Sequence, residues 1–189
     1  MIYLVRHGET EFNRVQRYQG WLDSPLTESG VEQARAIGRR LAQLPDAWTA
    51  EIVASPIGRA RRTAELIAAE MMRRDVAFDD RLREISLGSW DGLDHDEIAA
   101  RCPGIFDNYD GGWYFRTPDG ETYDEFAGRI GAGLAALADR PAIVVTHGVV
   151  TRVLRGIYAG LPRAEALRLP VPQDRFYRLA NGRIEEIGV

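Results

Sequence analysis

IYLVRHG occupies residues 2–8. Four apolar side chains are followed at once by an arginine, a histidine and a glycine. The pattern recurs twice more. EIVA at 51–54 runs into Ser55 and Pro56, with Arg59 opening the next helical stretch. AIVVT at 142–146 runs into His147 and Gly148. Short, unbroken apolar runs of this kind fit strands buried on both faces of a parallel sheet. In open parallel sheets, sites form beyond the carboxyl ends of the strands. If these three strands are neighbours, Arg6, His7, Arg59 and His147 converge on one crevice. Glycine after each histidine suits a tight turn that presents the side chain outward.

Helical periodicity separates the strands. Residues 27–44 place Val31, Ala34, Ile37, Leu41 and Leu44 at spacings of three and four, and Thr27 is an N-cap candidate. Residues 58–73 repeat the pattern through Ala60, Ala64, Ile67, Ala68 and Met71. Thr122 and Glu125 form a capping-box pair that opens a helix to about residue 138, and residues 149–158 read as another helix. Asn181-Gly182 between residues 176–180 and 183–187 predicts a type I′ hairpin. The region from 88 to 121 differs. It holds a short helix near 94–101, then a long excursion rich in Gly, Asp and Pro, with Tyr109, Trp113, Tyr114 and Phe115. Excursions of this length often form binding loops or lids. The expected class is α/β, a three-layer, mostly parallel sheet flanked by helices. A single domain over 1–189 is expected.

Composition narrows the chemistry. All 24 basic residues are arginine, the only cysteine is Cys102, and the histidines are His7, His95 and His147. Without lysine there is no Schiff base, P-loop lysine or lysine general base. One cysteine allows no intramolecular disulfide and no multi-cysteine metal site. A formal net charge of −4 with no basic run argues against general nucleic-acid binding. The apolar run at 2–5 ends at Arg6, too short for a signal-peptide core or a membrane span. A cytoplasmic protein without membrane association is the expectation.

Two arginines beside an imidazole describe an anion site, because the guanidinium fork binds phosphate or carboxylate bidentately and stays charged. Two histidines could also bind a metal, but the adjacent fixed cations oppose it and no third ligand is evident, so no metal is expected. A neutral imidazole can attack phosphorus with little repulsion from the dianion. A general acid must then protonate the leaving oxygen. Its candidates lie in REISLGSWDG at 83–92, namely Glu84 and Asp91.

The ordered set of motifs resembles the histidine phosphatase superfamily, the phosphoglycerate-mutase-like fold. LVRHGETEFN at 4–13 is similar to its signature and LTESGVEQA at 26–34 to its first helix. SPIGRARRTAE at 55–65, LREISLGSWDG at 82–92 and VVTHGVV at 144–150 resemble its second arginine motif, acid segment and second histidine. Together they span most of residues 1–155. The resemblance implies that His7 is the nucleophile and that Arg6, Arg59 and His147 bind the phosphoryl group. Glu84 would be the proton donor. Asn13, Thr10, Gln19, Gly20 and Gly148 are implied at the substrate. No metal or organic cofactor is implied. The segment 87–121 would be the family's variable insertion over the site. His95 lies inside it, matches no motif, and reads as a surface residue.

Within that family the sequence favours hydrolysis of a small-molecule phosphate ester. Cofactor-dependent mutases carry a tyrosine where this chain has Leu87. They also hold a second anion with a lysine and an arginine pair in the insertion. Here the insertion has only Arg101 and Arg116, with Asp107, Asp110 and Asp119 among its aromatics. Mutase-type transfer, a phosphoprotein phosphatase and a non-catalytic phosphate-binding module are the alternatives. Monomer and homodimer both stay open.

Overall fold

The computed structural model describes residues 1–107, 111–138 and 140–189. Tyr109 and Asp110, singled out above, lie outside the described residues. The chain opens with β1 (Ile2–Arg6), a one-turn helix α1 (Glu11–Arg14) and α2 (Glu28–Ala42). Then come β2 (Glu51–Ala54), α3 (Gly58–Glu70), the two-residue β3 (Ala77–Phe78), α4 (His95–Arg101) and α5 (Tyr123–Ala136). The last part holds β4 (Ala142–Thr146), α6 (Gly148–Ala159), α7 (Arg163–Ala166) and the hairpin β5 (Arg175–Ala180) to β6 (Arg183–Gly188).

The strand order is β3-β2-β4-β1-β5-β6. Pairings from β3 through β1 are parallel, and those of β5 are antiparallel. The sheet is therefore mixed, with its parallel part where the motifs lie. β1 and β4 sit at its centre and are apolar on both faces. Tyr3, Val5, Ile143 and Val145 join Ile37 and Ile67 under α2 and α3. Leu4 and Val144 point the other way, into a core shared with Phe126, Ile130 and Leu154 of α5 and α6. Strand alternation sends successive side chains to opposite faces, so an unbroken apolar run is what a helix-sandwiched strand requires.

Local signals account for the helix ends. Thr27 Oγ1 accepts from the Gly30 N–H, and Thr122 and Glu125 complete their capping box. Asp94 and Glu97 form another at the start of α4. α3 stops before residue 73 because Met72 turns left-handed, with φ of 53°. Asn181 and Gly182 both have positive φ, 51° and 71°, as a type I′ turn demands. β3 escaped notice in the sequence. Its two residues are both exposed and carry no alternation.

Candidate active site

β1 and β4 end together. Arg6 pairs with Thr146 in parallel register, and the His7 N–H donates to the Thr146 carbonyl at 2.9 Å. His7 and His147 therefore leave adjacent strands at the same level, with ring centroids 5.3 Å apart. The chain after His7 then crosses the first turn of α2. A Cβ on Gly8 would meet the Gly30 carbonyl oxygen at 2.2 Å, and one on Gly30 would meet the Glu9 oxygen at 2.0 Å. Only glycines permit that approach.

His7 is 3% exposed. Burial, Arg59 and Arg6 hold its ring well below the usual imidazole range, so it is neutral at pH 7. Its Nδ1 lies 2.8 Å from the Gly8 carbonyl oxygen. A carbonyl only accepts, so Nδ1 carries the proton and Nε2 keeps a lone pair. The Arg59 Nε–H lies 3.3 Å from that Nε2.

Arg59 is buried, and its head is fixed by the loop 20–23. Its two terminal nitrogens donate to the Leu22 carbonyl at 2.9 Å and the Gly20 carbonyl at 2.8 Å. Asp91 fixes that loop in turn. Its carboxylate accepts the N–H groups of Gly20, Trp21 and Leu22 at 2.9, 3.0 and 3.2 Å. Asp91, an acid candidate in the sequence, is thus placed as a loop anchor. Arg6 donates to the Val171 carbonyl, while its buried Nε has no partner among the described residues. Burial lowers the Arg6 pKa to about 10, partly countered by Glu84, so it stays cationic at neutral pH.

Glu84 is 6% exposed and accepts from the Ile85 and Val149 N–H groups at 3.1 and 3.2 Å. Burial raises its pKa against the pull of Arg59, those two N–H groups and Arg6. Desolvation wins, and the carboxyl is a better proton carrier near neutral pH than an exposed glutamate.

A cavity of about 530 Å³ opens on these groups. Arg6, His7, Asn13, Gln19, Arg59, Glu84 and Gly148 line it. Thr10 and Gly20 do not, and act one layer back. The Thr10 hydroxyl caps α1 and accepts from Gln19 Nε2 at 2.6 Å, and the Gly20 carbonyl holds Arg59. His147 stands fully buried beside His7, with Nε2 2.7 Å from Ser55 Oγ. Gln173, unremarked in the sequence, donates to the His7 carbonyl at 3.0 Å and to Asn13 Oδ1 at 3.3 Å.

The far wall adds two features to the sequence reading. His95 is exposed, as a surface residue should be, and the start of α4 also brings it to the mouth of the cavity. It stacks on Phe106 with centroids 4.2 Å apart. Cations also reach the cavity from outside the 87–121 segment. Arg152 of α6 donates to the Leu169 carbonyl at 2.8 Å and to the Tyr114 hydroxyl at 3.3 Å, with no carboxylate partner among the described residues. Arg17 also lines the cavity but is paired with Glu97 at 3.0 Å. In the sequence Arg152 is an ordinary polar helix position, and its spacing of five from His147 is its one signal. Trp113 and Tyr114 line the cavity, whereas Phe115 packs against Phe126 of α5. Among the described residues, no three His, Cys, Asp or Glu side chains are grouped to hold a metal ion, and no helix is long and apolar enough to cross a membrane.

Strand order, converging motifs and buried imidazoles together define a phosphate-handling α/β enzyme. The model for the histidine phosphatase superfamily (branch 1) matches residues 2–182, and the chain belongs to that family. Curated relatives include the probable phosphoglycerate mutase GpmB of Citrobacter koseri. It is 39% identical over 177 residues, 89% of this chain and 79% of the relative. Among solved structures, YhfR of Bacillus stearothermophilus superposes with a TM-score of 0.84 at 32% identity, covering 99% of this chain and 95% of that one. A mycobacterial glucosyl-3-phosphoglycerate phosphatase gives 0.79 at 30%, covering 94% and 90%.

Proposed function

We propose that the protein is a phosphomonoester hydrolase that works through a phosphohistidine on His7, without a metal or organic cofactor. One observation carries this reading. His7 is a neutral imidazole with its proton tied to Gly8, its Nε2 lone pair left beside Arg59, and Arg6 on the same cavity. In the first half-reaction the Nε2 lone pair forms a bond to phosphorus and the P–O ester bond breaks. Glu84 gives its proton to the leaving oxygen. Water then attacks phosphorus, the Glu84 carboxylate takes a proton from it, and the N–P bond breaks with its electron pair returning to Nε2. Arg6 and Arg59 supply positive charge, and they and the neutral His147 supply hydrogen bonds, to the equatorial oxygens, where phosphoryl transfer needs them. Asn13 and Gly148 add polar contacts. The cavity volume suits a small-molecule ester rather than a folded phosphoprotein. A cytoplasmic setting goes with this reading.

The test is incubation with a panel of phosphomonoesters in EDTA, followed by quenching and mass spectrometry. Turnover and phosphate on His7 are expected. Activity that requires added metal would overturn the mechanism. Mutase-type transfer is the second reading, supported by the name of the GpmB relatives and by the uncompensated Arg152 in the cavity. Leu87 and the absence of lysine weigh against it. Transfer from 2,3-bisphosphoglycerate to 3-phosphoglycerate faster than phosphate release would decide for it.

A further inference from the structure

Ser55 follows β2 directly and is fully buried. Its Oγ accepts the Ile57 N–H at 3.3 Å and lies 2.7 Å from His147 Nε2. No other acceptor is in reach of that hydroxyl among the described residues. A hydroxyl hydrogen enclosed in this way needs an acceptor, and an N–H cannot serve. Only the imidazole nitrogen remains. We infer that Ser55 donates to His147 Nε2 and thereby holds the neutral His147 ring with its proton on Nδ1.

The consequence concerns the other side of the ring. His147 Nδ1 is buried and, like Arg6 Nε, has no hydrogen-bond partner among the described residues. With the proton on Nδ1, His147 offers an N–H donor beside His7. With the proton on Nε2, it would offer a lone pair, which repels a phosphoryl dianion. Burial and the cations Arg59, Arg6 and Arg129, together with His7, keep the ring neutral, so a second proton does not resolve the choice. Ser55 resolves it. His7 and His147 are then the same tautomer, protonated on Nδ1, but put to opposite uses. Gly8 makes His7 protonated on Nδ1 and bare on Nε2, facing the cavity as a nucleophile. Ser55 makes His147 bare on the hidden Nε2 and a donor on Nδ1. Ser55 is thus a positioning residue acting through His147. This rests on the reading of the cavity as a phosphoryl site.

Long-range 15N–1H spectra of the 15N-histidine-labelled protein test the tautomer directly, and three histidines make assignment by substitution simple. The expected spectrum at pH 7.5 shows His147 with a protonated Nδ1 and a bare Nε2. Ser55→Ala should lose that pattern, and Ser55→Thr should keep it. Calorimetry with inorganic phosphate should show binding weakened roughly tenfold in Ser55→Ala and restored in Ser55→Thr, the size expected for one misplaced donor. A wild-type spectrum with the proton on Nε2 overturns the inference, whether or not Ser55→Ala folds. Unchanged phosphate affinity in a Ser55→Ala protein with an altered tautomer overturns its consequence. The spectrum needs no turnover, so a missing phosphohistidine would sink the hydrolase reading and leave the tautomer result standing.

Discussion

The two ends of the cavity are built on different principles. The end at His7 is made of buried side chains, each fixed by backbone groups: His7 by Gly8, Arg59 by Gly20 and Leu22, Glu84 by Ile85 and Val149. The opposite wall is made of half-buried aromatics that pack on one another and on the edge of the hydrophobic core. Tyr18 meets Trp113 at 4.6 Å, Phe106 meets Trp113 at 5.2 Å, and His95 covers Phe106. Preorganised polar groups stabilise charge that develops during reaction, because they need not reorient when it appears. Stacked rings supply area and shape to whatever body the phosphate carries. Substitutions at the first end should therefore lower kcat, and those at the second should move KM.

The largest effect is expected for His7→Ala, a loss of at least about 10⁴-fold in kcat with no phosphoprotein detected after quenching. Residual turnover with phosphate still on the protein would move the nucleophile elsewhere and break the comparison at its base. Glu84→Gln should cost about 10²–10⁴-fold on alkyl phosphates and clearly less on aryl phosphates, whose leaving groups need little protonation. Its pH profile carries the sign of the shift. The folded carboxyl has a raised pKa, so the proton-donating form survives to higher pH than in an exposed glutamate and is lost as pH rises through that pKa. Wild-type kcat on an alkyl phosphate should fall as pH rises through that pKa, and the fall should vanish in Glu84→Gln. Equal losses on both ester classes would argue against the acid role.

Arg152→Met belongs to the far wall despite its charge. KM for esters with a second anionic group should rise about tenfold, as for one charged hydrogen bond, while KM for p-nitrophenyl phosphate stays within twofold. A drop in kcat on both would place Arg152 with the reacting end instead. Trp113→Ala should give the smallest change, a KM increase of about two- to tenfold for esters with apolar bodies and an unchanged kcat, read from steady-state kinetics.

The same divide explains what was legible in the sequence. β1, β2 and β4 declared themselves because strands covered on both faces read as unbroken apolar runs, and each run leads into residues of the candidate site. The capping pairs at Thr122 and Asp94 are local, so the helix starts could be read too. Asp91 could not be understood that way. Its role is three N–H contacts to residues about seventy positions earlier, which no local pattern encodes. Arg152 and His95 were missed for a related reason. Each sits on a helix where a polar residue is ordinary, and only the packing of α6 and α4 turns it toward the cavity.

The strand order has a consequence for how the site comes into being. β1 and β2 never touch in the sheet, because β4 lies between them. During synthesis, Arg6, His7 and Arg59 emerge early, but the strand that joins their parent strands arrives only with residues 142–146. Pairing at that sequence separation carries a loop-closure cost and slows folding. Neither half of the chain can assemble the candidate site, and a nascent chain that lacks β4 has His7 without its surroundings. Competence should therefore arrive in one late step, with the closing of the sheet.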